Sequence, residues 1–162
     1  MEQEYRIPKE QRKSYTSCTI PDQAKLFMLR IEGVKDRCPY GTIHHCFFEE
    51  PFTFCGLDQA ILKMDEMMDE LCYPQASTRL RNFAGCDVQR EKVKKLYMCW
   101  ETDSLKERGK AKLVCGIRVY YRQNSSWQGE ILCEKYPKVF FRSVLELMHL
   151  IQSALRKTEK GI

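Results

Sequence analysis

The chain carries an internal repeat. Ala24-Lys25-Leu26 returns as Ala111-Lys112-Leu113 at a spacing of 87, and Leu29-Arg30-Ile31 matches Ile117-Arg118-Val119 at a spacing of 88. Gly41-Thr42-Ile43 matches Gly129-Glu130-Ile131, again at 88, each glycine closely following an aromatic, Tyr40 or Trp127. Phe54 meets Phe141 at 87. The apolar positions of two helices then keep step: Leu57 with Val144, Ala60 with Leu147, Ile61 with Met148, Met64 with Ile151, Met68 with Leu155. A register held through strands, a turn and a helix predicts two halves that fold alike. A three-stranded sheet with one helix buries little apolar surface alone, so the halves are expected to share a core about a pseudo-twofold axis. The fold class read from this is α+β: two pseudo-symmetric βββα repeats, with antiparallel sheets and helices packed on one side. The step from 87 to 88 falls inside the first strand. It predicts a β-bulge near Cys115-Gly116, because an extra residue otherwise turns every later side chain to the other face.

Local periodicity assigns the elements. Leu26–Glu32 alternates as a strand, residues 33–40 read as a loop, Thr42–Phe48 as a second strand and Phe52–Cys55 as a short third. Leu57, Ala60, Ile61, Met64, Met67, Met68 and Leu71 lie at helical spacing, and Pro74 ends that helix. In the second copy Val114–Arg122 is a strand, with Ile117, Val119 and Tyr121 on one face and Arg118, Tyr120 and Arg122 on the other. Gln123–Ser126 is a turn, Trp127–Glu134 returns, and Val139–Phe141 is the short strand. Ser143 with Glu146 three residues on has capping-box spacing for a helix with stripe Val144, Leu147, Met148, Ile151, Leu155. Ser77-Thr78 opens a short helix with Leu80 and Phe83, and residues 88–100 are read as helix in preference to strand. The layout is then an N-terminal tail at 1–24, flexible or docked late; a first repeat at 25–73; a basic, partly helical connector at 74–110; and a second repeat at 111–157, all in one globular domain.

Composition narrows the class. The 162 residues are 43% hydrophobic and 30% charged, in the ordinary globular range. No apolar run is long enough to cross a bilayer, and the charged start has no apolar stretch behind it, so a cytoplasmic protein without membrane attachment is expected. Of nine cysteines, an odd number and many within apolar stretches, most are expected to be free and buried. A net charge of +5 permits an acidic partner without requiring one.

Four groups of residues could carry chemistry. Arg118, Tyr120 and Arg122, with Arg30 at the position matching Arg118, could stack on bases and pair with phosphates; the alternative is a solvated face of long arginine stems. Cys38, His44, His45 and Cys46 suggest a metal, but adjacent histidines on a strand point to opposite sides, and no metal or cofactor is expected. Asp58, Asp65, Glu66, Asp69 and Glu70 form an acidic helix face for a basic partner, or a plain solvated face. Arg79, Arg81, Arg90, Lys92, Lys94 and Lys95, followed by Tyr97 and Trp100, make a basic and aromatic middle. His149 stands alone beside an apolar stripe. No phosphate-binding glycine loop, paired Cys-x-x-Cys or nucleophile motif occurs, so an enzyme is not expected.

The run Arg122-Gln123-Asn124-Ser125-Ser126-Trp127-Gln128-Gly129, followed by Phe141-Arg142-Ser143-Val144-Leu145-Glu146-Leu147, is similar to small uncharacterised proteins of gut Firmicutes and their mobile elements. Tyr73-Pro74-Gln75-Ala76 adds to the likeness. The resemblance covers the second repeat and the end of the first, and implies a setting in which small proteins bind host machinery, inhibitors of nucleic-acid-guided defence included. Tandem units of strands plus one helix also resemble the Pur-type repeat that binds single-stranded nucleic acid, although that repeat has four strands and this one three. The function expected is a non-enzymatic protein-binding module of bacterial or mobile-element origin, with single-stranded nucleic-acid binding, or inhibition of such a defence effector, as alternatives.

Overall fold

The computed structural model describes residues 6–16, 18–78, 81, 83, 95–101 and 110–161. Its elements are β1 (Ser14–Tyr15), β2 (Leu26–Lys35), β3 (Cys38–His44), β4 (Phe52–Cys55), α1 (Leu57–Leu71), β5 (Leu96–Tyr97), β6 (Leu113–Tyr121), β7 (Gln128–Cys133), β8 (Val139–Phe141) and α2 (Val144–Glu159), with single-turn 3-10 helices at Lys9–Gln11 and Asp22–Lys25. The fold is α+β, with antiparallel sheets and two α-helices. One sheet has six strands in the order β4-β3-β2-β6-β7-β8, and β1 pairs with β5 in a second.

Backbone conformation explains the first hairpin. Asp36 and Arg37 both lie at positive φ, 51° and 66°, as a two-residue turn between twisted strands requires. Strand pairing therefore continues to Lys35 and resumes at Cys38, where the sequence suggested a loop over 33–40. Further along, β3 stops at His44, short of Phe48, and His45 to Phe48 form a turn with the Phe48 amide donating to the His45 carbonyl.

Two bulges interrupt the sheet. One lies between Ile31 and Gly33 where β2 pairs β3, the other between Val119 and Tyr121 where β6 pairs β7. At both places a glycine on the neighbouring strand makes the close approach possible: a Cβ on Gly41 would run into the Arg30 carbonyl oxygen, and one on Gly129 into that of Arg118. Pairing through Cys115 and Gly116 is unbroken on both sides, so the bulge expected there is absent. The Ala-Lys-Leu match is out of step with the strands, since Leu26 and Leu113 pack in different clusters on opposite faces of the sheet.

Both helices cover one face. Phe27, Leu29 and Ile31 of β2, Cys115, Ile117 and Val119 of β6, Ile131 of β7 and Phe141 of β8 meet Ala60, Met64 and Met68 of α1 and Leu147, Ile151 and Leu155 of α2 in one core. Each fully buried Leu, Ile, Phe or Met contributes roughly 1.5–3 kcal/mol. The Ser143 hydroxyl accepts from the Glu146 amide at 3.1 Å and starts α2, as the spacing predicted. Cys72, at φ 49°, closes α1 in a left-handed cap.

The opposite face is covered over half its width. Leu26 and Met28 pack there against Ala24, Phe47, Cys99 and Trp100, with Tyr15, Ile20 and Met98 alongside. The N-terminal residues are thus a docked cover: the Ile7 amide donates to Cys99 O at 2.8 Å, the Met98 amide to Lys13 O at 3.1 Å, and Arg6 and Arg12 both pair with Glu49. The Arg12 guanidinium holds the Glu49 carboxyl below its usual range. Leu96–Tyr97 is a strand paired with β1, where the sequence favoured helix. The rest of that predicted helix through Lys94, and the short helix after Ser77-Thr78, lie outside the described residues.

Candidate binding surface

Past Met28 the outer sheet face continues onto β6, β7 and β8. Alternation presents Gly116, Arg118 and Tyr120 from β6, and cross-strand pairing sets Leu132 opposite Gly116, Glu130 opposite Arg118 and Phe140 opposite Glu130. Leu132 is 53% exposed and Phe140 65%. A chain of ion pairs runs beside them. Arg118 reaches Asp22 at 2.8 Å and Glu130 at 3.8 Å, and Lys138 reaches Glu130 at 3.2 Å while lying 5.4 Å from the Phe140 ring centre.

An aromatic groove adjoins this patch. Tyr73, Pro74, Gln75, Tyr120, Tyr121 and Gln123 line about 360 Å³. Lys25 lies 5.8 Å from the Tyr73 ring centre and 5.4 Å from that of Tyr120, and is held by Asp22 at 2.8 Å. Partial burial, with a hydrogen bond to Glu130, raises the Tyr120 hydroxyl above its ordinary range. The Asp22 carboxyl is held low by Lys25. The groove presents tyrosine faces and amide groups, with its nearest cations engaged.

The predicted arginine stripe does not form. The bulge after Val119 inserts a residue, so Tyr121 comes out 60% exposed and Arg122 turns in, 4% exposed. Arg122 Nη1 donates to Asp69 at 2.7 Å and Asp65 at 3.2 Å, Nε donates to Pro74 O at 2.7 Å, and Trp127 Nε1 donates to Asp65 at 3.1 Å. The assignments of Tyr121 to the core, of Arg122 to a nucleic-acid face and of Asp65 and Asp69 to an acidic docking face are thereby corrected: the arginine and the two aspartates hold each other. Arg30 is buried. Asp58, Glu66 and Glu70 remain exposed on α1, with Glu66 taken by Lys63 at 2.9 Å.

Arg81 and Lys95 are exposed, whereas Arg79, Arg90, Lys92 and Lys94 lie outside the described residues. Cys38 and His44 sit at opposite ends of β3, about 20 Å apart along an extended strand. His44 Nε2 is 3.0 Å from the Thr42 hydroxyl. His45 is buried, its Nε2 on Ala24 O at 2.8 Å and its Nδ1 accepting from the Phe47 amide at 3.2 Å, which requires a neutral ring. Burial lowers its pKa to about 4, and pushes the Cys46 thiol up to about 12.

Tyr73, Leu132 and Phe140 were missed by the sequence reading. Leu132 and Phe140 do leave a trace there, as large apolar side chains at the positions alternation assigns to the polar side of β7 and β8. Comparison with protein-family models, with curated proteins and with solved structures finds no match to this chain.

Proposed function

We propose that the chain is a non-enzymatic protein-binding module whose partner docks on the open half of the outer sheet face, over Leu132 and Phe140 and against Tyr120. The observation that carries this reading is the contrast within one face: Leu26 and Met28 are buried by the docked N-terminal segment, while Leu132 and Phe140 stand exposed. An exposed apolar centre framed by charges has the anatomy of a protein interface. Nucleic-acid binding is less favoured on electrostatic grounds, because Arg122 is neutralised by Asp65 and Asp69, and Arg118 by Asp22 and Glu130. The tyrosine groove keeps base stacking as the second reading.

We further read the scaffold as two βββα repeats. The two bulges, the two close-packed glycines and the carbonyls they approach recur 88 residues apart, and the strand order runs outward from β2 and β6 in the same sequence on both sides. A reducing cytoplasm is supported by the described cysteines, all free, with Cys46, Cys99, Cys115 and Cys133 buried. No helix among the described residues is long and apolar enough to cross a membrane. The likeness to mobile-element proteins points to a host protein as the partner.

The test uses tagged wild-type chain and Leu132→Glu/Phe140→Glu as baits in lysate of a host bacterium, with far-UV circular dichroism to establish that the variant is folded. A protein enriched by the wild type and lost with the folded variant supports the reading. A partner retained by the variant overturns it. So does salt-dependent micromolar binding of a mixed-sequence single strand that Tyr120→Ala abolishes while no protein is captured.

A further inference from the structure

On the helix side, away from that surface, the Val34–Pro39 hairpin, the first turn of α1 and residues 148–159 of α2 line a cleft of about 540 Å³. That volume falls in the range of small-molecule sites. Leu57, Met148 and Leu155 supply apolar walls, and Arg37 and Arg156 line the same cleft.

These two arginines differ from five others in one respect. Arg6, Arg12, Arg118, Arg122 and Arg142 each hold a carboxylate. Among the described residues, Arg37 and Arg156 hold none. Of the two acids that line the cleft, Glu159 pairs with Lys112 at 2.8 Å, and Asp58 sits in the first turn of α1 beside Gly56. Arg37 also occupies the second turn position at φ 66°, where glycine is the favoured residue, so its side chain is present at a local conformational cost. Two guanidinium groups with unused donor forks beside an apolar hollow match a carboxylate, sulfonate or phosphate joined to a hydrocarbon body.

We propose that this cleft binds a small amphipathic anion, with its hydrocarbon part against Leu57, Met148 and Leu155 and its head group held by Arg37 and Arg156. The site is independent of the outer sheet face, and either can fail without the other.

Isothermal titration with octanoate and with octanol, on the full chain, separates head-group recognition from greasy adsorption. Octanoate is expected to bind saturably, one per chain, and octanol at least about tenfold more weakly. Arg37→Gln/Arg156→Gln should weaken octanoate about tenfold or more, while Arg81→Gln, an exposed arginine outside the cleft, stays within about twofold. If the double variant does not fold by circular dichroism, each single variant is measured against the same criterion. Equal binding of octanol and octanoate, no saturable octanoate binding at millimolar concentration, or unchanged binding in folded glutamine variants would overturn the proposal.

Discussion

Leu26 and Met28 share a sheet face with Leu132 and Phe140, yet the first pair lies under a layer of protein and the second faces water. The strands differ accordingly. From Leu26 to Ile31 β2 is buried at every residue, whereas β6 alternates strictly from Leu113 to Tyr120. A strand covered on both sides reads as a continuous apolar run, and a strand covered on one side reads as an alternation. The cover itself comes from outside the sheet. Residues 6–16, 18–24 and 96–100 lie over one half, with Trp100 Nε1 donating to Phe48 O at 2.9 Å as a central tie. The difference teaches that two parts of one sheet face are set apart by segments that lie outside the six-stranded sheet.

The sharpest way to break the comparison of scaffolds is at the two bulges. Gly41→Ala and Gly129→Ala each place a Cβ against a backbone carbonyl of the adjacent strand, which cannot move without disturbing the sheet. Each is expected to lose about 3 kcal/mol or more in urea unfolding. A large loss at one position with none at the other would show that the halves are not built alike.

Arg122 and Arg118 come next, four residues apart on one alternating run with opposite fates. Arg122→Ala leaves Asp65 and Asp69 facing each other without their cation and Pro74 O without its donor. It should cost about 3 kcal/mol. Arg118→Ala removes partly exposed pairs and should cost about 0.5 kcal/mol or less. Equal losses would mean that the inward turn of Arg122 is not what ties β6 to α1.

The covered half carries a pH signature of its own. His45 folds with a pKa of about 4, below the ordinary 6.5, because burial disfavours the charged ring. Below pH 6.5 the unfolded chain takes up the proton and the folded one does not, so stability falls with pH until both are protonated near 4. One group contributes about 1.4 kcal/mol per unit over that window, roughly 2 kcal/mol by pH 5. Urea unfolding at pH 7 and pH 5 should show this loss in the wild type and not in a folded His45→Asn. The same pH dependence in both proteins would remove His45 as its source.

Much of the sheet was legible locally. Phe52–Cys55 and Val139–Phe141 were bounded by turn residues, and Ser143 announced α2 by its spacing to Glu146, because caps and short strands depend on near neighbours. The hairpin at Asp36-Arg37 was not, since Arg37 stands where glycine is the usual choice for positive φ and the closing strands hold it there.

The sequence by itself determined the class, the two helices and which face of most strands is apolar, since those follow from period and composition. Tertiary structure alone decided where the bulge falls, that Tyr121 emerges while Arg122 is buried, and that residues 6–16, 18–24 and 96–100 lie over one half of the sheet. The register of β6 answers to a cross-strand contact, the close approach of Gly129 to the Arg118 carbonyl. The one-residue slip it imposes reverses the facing of the side chains beyond it, a consequence that no local window contains.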